Sequence, residues 1–477
     1  MNRIFPILLL ALLFFVTSCK KESHDDAPNY VRGYLEDMQT ADTYKPREFV
    51  SAVTSGRYAA EQTGGDATMS TLLSRGGDVA LLTHKLRLDT IFSHEADFFF
   101  ALNLWEVVSV PFTYRTVSVT GQPIVLSARV TFPAAKSRAA HNLSSISLYA
   151  HHFLSDQSLA PSRELSLLTL RILYNSAVVE PDFQGYGNTE SEVFSDVSYK
   201  PLGRQMLDCE FAALEAMSSY GVYLADNGYT TLWGYSVAAP IVIGAMLYHD
   251  QQLPQYKRDA VRLHSAFVGS GPFLLDRMLQ YFDLHPDYNA QAMDLVSLYT
   301  LPAEYYEGYK PEDFLPSWGR TYLVDVGGKT MTYNEAIRSD YSDGYGNLRP
   351  AFSPNDVLSN NFAEDMFNSD GHFNYDNEKT RILFRIMTSL TDWGTWQPNI
   401  DVYISHSSED EYIPYSISNQ FYTRMLPSGK MHWTDVPAVK LTDDSYHISA
   451  VLWATTAMIL GETPAEAQRF LLSTNNK

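Results

Sequence analysis

From Pro111 to Pro133 the chain reads PFTYRTVSVTGQPIVLSARVTFP, with apolar and polar positions alternating on both sides of Thr120-Gly121. A period of two interrupted by a glycine-bearing turn predicts an antiparallel hairpin. Beyond it the pattern changes to short runs that are apolar on both faces: SISLYA (Ser145 to Ala150), SAVVEP (Ser176 to Pro181) and TTLWG (Thr230 to Gly234). Amphipathic stretches lie between them, among them RELSLLTLRILYN from Arg163 and LGRQMLDCEFAALEAMSSYG from Leu202. Strands buried on both faces and alternating with helices predict an α/β fold whose mostly parallel sheet is covered on both sides, with the antiparallel N-terminal hairpin leading into it. The alternation stops near Pro272, and Tyr-, Asp- and Pro-rich text such as LPAEYYEGYKPEDFLP follows, with a helical piece KTRILFRIMTSL near its end. So long a connection is uncommon inside a compact domain, so residues 272–398 are expected to form a large cap or lid insertion over the sheet. The sheet pattern resumes with NIDVYISHS from Asn399, a helix from about Ser416 to Met425, a strand KMHWTDV and a last helix ISAVLWATTAMIL. The core is thus expected at 111–271 and 399–477. Residues 29–110 mix helical patterns with polar breaks and are expected to form an N-terminal helical decoration.

Composition narrows the partners. Of 477 residues, 45% are hydrophobic and 19% charged, which suits a chain that folds by burying a core. Asp plus Glu outnumber Lys plus Arg by 55 to 35, a formal charge of −20, and the clustered positive charge that phosphate backbones require is lacking. Nucleic acid is not an expected partner. The first nineteen residues, MNRIFPILLLALLFFVTSC, place Arg3 before an apolar run and end in small residues before Cys19. This resembles a bacterial lipoprotein signal peptide with its lipobox. The resemblance implies lipidation at Cys19, a polar tether over 20–28, and a lipid-anchored place in the cell envelope at the outer membrane, since acyl chains hold a protein at a membrane surface without a spanning helix. Asp25 and Asp26 weakly resemble sorting signals of outer-surface lipoproteins in the Bacteroidota. Cys209 would then be the only cysteine left beside the anchor, and no intramolecular disulfide is expected.

The candidate chemistry centres on Gly234-Tyr235-Ser236-Val237-Ala238, which falls between the apparent strand TTLW and the apparent helix VAAPIVIGAMLYHD. A serine on a tight strand-to-helix turn, flanked by small residues that let backbones approach, matches the nucleophile elbow. On these residues the chain resembles the α/β-hydrolase superfamily. The resemblance implies a triad in the chain order serine, acid, histidine. HSSEDEYIP, from His406, is similar to the family's H-G-x-x-D-x-x-V-P, which makes Asp410 the acid, with Glu409 and Glu411 as the nearest rivals. Of the two later histidines, His432 lies inside an apparent strand. His447 lies in the loop before the final helix, where the family keeps its base. The resemblance also implies an oxyanion hole formed by the backbone N–H of Val237 and a second N–H after SISLYA, Phe153 first and His152 second, with His152 standing where the family has glycine. His151 is expected to be structural rather than a metal ligand. EPDFQGYGNT, from Glu180, is similar to the family's P-D-x-x-G-x-G turn, with Asp182, Gly185 and Gly187 organising the loop. A phosphate cradle is not expected there, since no G-K-[ST] follows.

Together these features resemble secreted lipases and esterases of the superfamily over roughly 110–270 and 399–460. They imply hydrolysis of a small-molecule carboxylic ester through an acyl-enzyme. No metal or organic cofactor is called for. A serine peptidase on the same fold, or a surface binding protein without catalysis, are the alternatives left open.

Overall fold

The structure is a computed structural model that describes residues 31–45, 48–49, 52–53, 105–137, 139–151, 160–190, 192, 197–285, 323–326, 329–332, 368, 372–436 and 446–447. The expected signal peptide with Cys19, the tether, His152, Phe153, most of the expected insertion and the expected final helix lie outside these residues.

The alternating text around Thr120-Gly121 forms a long hairpin, β3 (Trp105–Val117) against β4 (Pro123–Ala135), paired antiparallel from Trp105↔Ala135 to Val117↔Pro123. Gly121 turns the chain at φ +81°, and the Ser118 N–H donates to the Gln122 carbonyl at 2.7 Å. The hairpin starts six residues earlier than the alternation predicts. Two short strands, β1 (Leu35–Met38) and β2 (Asp42–Tyr44), pair with β3 inside the segment expected to be helical. Three- and four-residue strands carry too few positions to show a period, and only the free edge of β3 makes them strands.

Past the hairpin come β5 (His141–Ala150), β6 (Ser176–Pro181), β7 (Val222–Tyr235), β8 (Leu263–Gly269), β11 (Asp401–Ser407) and β12 (Met431–Val436), each parallel to its neighbour within this set. The sheet order is β1-β3-β4-β6-β5-β7-β8-β11-β12, with β2 on β3. Strands β9 (Leu323–Val326) and β10 (Lys329–Thr332) form a separate antiparallel pair. Every residue of β6, and of β7 from Thr230 to Tyr235, is buried, so both faces of the central sheet are covered, as uninterrupted apolar strands require.

The covering helices include α1 (Tyr199–Ser218) and α2 (Ala238–Gln251), with α3 (Gln255–Ala260) leading into β8. Helix α2 is apolar on all sides, and each of its residues from Ala238 to His249 is buried. Helices α4 (Leu275–Leu284) and α5 (Glu378–Leu390) stand at the two ends of the segment expected to be an insertion, yet Leu275, Leu279, Leu383 and Ile386 are buried in the same core as the sheet. Helix α6 (Tyr415–Met425) joins β11 to β12. At one matched register of the parallel strands, Trp233, Phe267, Tyr403 and His432 stack face to face in a ladder, with centroids 4.0, 4.8 and 4.6 Å apart. This ladder ties together β7 and β11, the two strands that end at the candidate serine and acid.

Candidate active site

Strand β7 ends at Tyr235 and α2 begins at Ala238, so Ser236 occupies the junction between them, at φ +57°. That left-handed conformation is unfavourable for a residue with a Cβ and persists only where the surroundings enforce it. Two bonds do so: the Ser236 N–H donates to the Gly269 carbonyl of β8 at 2.9 Å, and the Ala239 N–H donates to the Ser236 carbonyl at 3.0 Å. The turn is tight enough that a Cβ on Gly234 would sit 2.5 Å from the Ala238 carbonyl oxygen and 2.8 Å from Val242 Cγ2. Glycine at 234 is therefore a steric requirement of the turn.

Asp410 follows the C-terminal end of β11. Its Oδ1 accepts the backbone N–H groups of Tyr412 and Ile413, both at 2.9 Å, so the side chain closes its own turn. Its Oδ2 points at His447, whose Nδ1 lies 2.7 Å away. The other ring nitrogen of His447, Nε2, is 3.1 Å from Ser236 Oγ. A carboxylate accepts only, so Nδ1 carries the proton and Nε2 faces the serine hydroxyl as an acceptor. All three side chains are buried.

A second imidazole reaches the same acid: His406 Nε2 is 3.2 Å from Asp410 Oδ2 and 3.0 Å from the Ile413 carbonyl. Burial by itself would raise the Asp410 carboxyl, but the neighbouring His447 and His406 outweigh it and hold the group well below the ordinary carboxylate range. Asp410 is thus held ionised, facing the two imidazoles.

The rivals fall elsewhere. Glu409 is exposed on the acid loop, and Glu411 accepts the backbone N–H groups of Tyr446 and His447. His432 is exposed, with Nε2 3.0 Å from Asp401 Oδ1 at the start of β11, whereas Asp410 follows the other end of that strand. Val237 is the first residue after the serine and stands at the start of α2, where N–H groups lack intrahelical acceptors.

His151 follows β5, is buried, and donates from Nε2 to the Asp182 carbonyl at 2.9 Å while packing against Phe183 and Tyr186. Asp182 accepts the Ser162 N–H at 2.8 Å and the Ser127 hydroxyl at 2.5 Å. Glycine is forced at 187, because a Cβ there would overlap both the Asp182 carboxylate and Ser127 Oγ. Among the described residues no group of three or more His, Cys, Asp or Glu is arranged to hold a metal ion, and no helix is long and apolar enough to cross a membrane.

Solved structures share this architecture. A protein of Legionella pneumophila subsp. pneumophila described as a hydrolase superposes with a TM-score of 0.57 at 16% identity, covering 91% of this chain and 98% of its own. The esterase LipA of Xanthomonas oryzae, which degrades rice cell wall, superposes with a TM-score of 0.53 at 14% identity, covering 89% of this chain and 96% of its own. This chain has the α/β-hydrolase fold. No family model matches the sequence, and no curated protein sequence matches it. In this α/β-hydrolase fold, Ser236 follows β7, Asp410 follows β11 and His447 comes after β12, so all three gather beyond the C-terminal ends of the parallel strands. Open parallel sheets build their sites at that edge.

In the sequence His406 serves only as a landmark for the acid, and Tyr235 has no expected role. Both lie inside quoted motifs, but nothing in a motif says that a landmark histidine turns its ring onto the acid.

Proposed function

We propose that this chain is a serine hydrolase that cleaves carboxylic esters, with Ser236 as nucleophile, His447 as general base and acid, and Asp410 orienting the imidazole. The observation that carries the proposal is the unbroken line from Asp410 Oδ2 through the ring of His447 to Ser236 Oγ, at 2.7 and 3.1 Å. A serine hydroxyl is a weak nucleophile at neutral pH. His447 Nε2 accepts its proton as Oγ attacks the carbonyl carbon, and the ionised Asp410 stabilises the imidazolium that forms. The tetrahedral intermediate collapses to an acyl-enzyme as His447 returns the proton to the leaving alcohol. Water activated by the same nitrogen then releases the acid.

The backbone N–H of Val237 is one oxyanion donor in this reading, and Phe153 or His152 supplies the second. A donor of this kind is worth about 2.7–4 kcal/mol in the transition state. LipA, an esterase of the same fold, supports ester chemistry over the peptidase alternative. The substrate is a small-molecule ester, and lipidation at Cys19 would anchor the enzyme to the outer membrane of the cell envelope.

A fluorophosphonate probe tests the nucleophile. The full chain is expected to be labelled at Ser236, and Ser236→Ala to abolish labelling; an unlabelled wild-type chain would reject the proposal. Esters of graded acyl length set against aminoacyl amides then decide the bond class. Faster turnover of amides would replace the esterase reading with a peptidase.

A further inference from the structure

We infer that Glu411 and Tyr235 are positioning residues that grip the main chain of His447, so that the base is held by its backbone as well as by its ring. The inference deepens the proposed reading and rests on it. Glu411 Oε2 accepts the N–H of Tyr446 at 3.0 Å and the N–H of His447 at 3.3 Å. On the other side, the Tyr235 hydroxyl donates to the His447 carbonyl at 3.0 Å. That phenol oxygen also lies 2.7 Å from Ser270 Oγ, whose own proton is free to complete the pair of bonds. Tyr235, Ser270 and His447 are all buried, and the Tyr235 ring packs 5.2 Å from the imidazole. Burial pushes the Tyr235 phenol well above its ordinary range, so it keeps the proton that it donates.

The grip follows a simple order along the chain. Ser236 and Asp410 touch the two nitrogens of the ring. The residue before the serine and the residue after the acid touch the carbonyl and the N–H of the same histidine. One strand end and one loop thus supply both sets of contacts. The direction of a Cα–Cβ bond is set by the main chain, and a displacement of about 1 Å at a reacting group can cost on the order of 100-fold in rate. Tyr446 and His447 already have helical backbone, where a loop was expected, and a base tied only through its ring would move with the chain around it. Main-chain bonds on both sides of Cα remove that freedom before substrate arrives.

The test uses the full chain, p-nitrophenyl acetate as substrate, fluorophosphonate labelling, and a thermal midpoint for each variant. Glu411→Ala is expected to lower kcat roughly 10- to 100-fold with KM within about twofold, since binding is untouched and geometry is lost. Glu411→Gln keeps an oxygen acceptor and is expected to recover most of that loss. Tyr235→Phe removes only the hydroxyl and is expected to lower kcat several-fold at unchanged KM. Glu409→Gln, a neighbouring charge outside the grip, is expected to match wild type. Wild-type kcat in a folded Glu411→Ala chain overturns the inference, and so does a Glu411→Gln chain as impaired as Glu411→Ala. Should Glu411→Ala not fold, Tyr235→Phe decides: wild-type kcat there overturns it as well. A wild-type chain that neither hydrolyses the ester nor takes the label brings down the serine-hydrolase reading itself, a result distinct from an active wild type with indifferent variants.

Discussion

Ser236 adopts a conformation that its side chain disfavours, and it does so because its neighbours leave no other course for the chain. Gly234 is the clearest case. A methyl group there would meet the Ala238 carbonyl and Val242, atoms that belong to the first turns of α2 and have no free space to move into. Gly234→Ala is expected to cost more than about 2 kcal/mol in unfolding free energy and to slow fluorophosphonate labelling at Ser236, because relieving the overlap moves the serine. Denaturant melts together with labelling rates measure both, and a stable variant labelled at the wild-type rate would show that the turn has slack. At this scale much was legible in the sequence. The small residues around Ser236 follow from the sterics of a tight turn, while the register of HSSEDEYIP and the choice of His447 over His432 come from the resemblance to the α/β-hydrolase superfamily. What was not legible is the second use of those motifs: His406 turned onto Asp410, and Glu411 and Tyr235 turned onto the backbone of His447. A sequence shows which residues adjoin along the chain, and these contacts join residues 4, 36 and 212 positions apart.

Elements act as rigid mounts for these residues, and the aromatic ladder across β7, β8, β11 and β12 binds the mounts together. Phe267 stands in its middle, stacked on Trp233 at 4.0 Å and on Tyr403 at 4.8 Å. Phe267→Ala removes both stacks and is expected to lower stability by roughly 3 kcal/mol, while Phe267→Leu, which keeps most of the apolar area, is expected to lose markedly less. Thermal and urea melts read the difference, and equal losses in the two variants would mean that the stacking geometry contributes nothing beyond area. The strands that the sequence pattern predicted are β3 to β7, β11 and β12, each of which carries an alternating or apolar run between turn residues. Strand β8, LHSAFVG, was not predicted. Its mixed composition has no clear period, and it is a strand because it fills the gap between β7 and β11.

At the scale of the whole molecule, three buried carboxyl groups among the described residues, outside the candidate triad, are pushed above their ordinary range and bear on how the fold answers to pH. Burial pushes Glu180 up to about 7, Asp208 up to about 6 and Glu210 up to about 8. An acid whose folded value lies above its unfolded value favours the fold fully at low pH, and that contribution is lost as pH rises through the folded value. Other groups work the other way. His141, lowered by burial to about 4, and Asp410, held low by its imidazoles, each weaken the fold as pH falls. Between pH 5 and pH 8 the three acids prevail, and the formal charge of −20 adds self-repulsion as pH rises. The thermal midpoint is therefore expected to fall from about pH 5 to about pH 8, and Glu210→Gln to flatten that slope and raise the midpoint at pH 8. A midpoint that climbs over this interval would refute the assignment of neutral buried acids.

By itself the sequence determined the hairpin and the alternation of buried strands with helices, and its family resemblance singled out Ser236, Asp410 and His447, in that chain order, as candidates. Local steric rules, hydrophobic periodicity and motif spacing act over a few residues, and so they can be read from text. Only the tertiary structure decided the strand order, the membership of β1, β2 and β8, and the distances of 2.7 and 3.1 Å across the candidate triad. It also decided which buried acids share the core and which side chains hold the main chain of His447. Those features depend on contacts between distant parts of the chain, which packing alone selects.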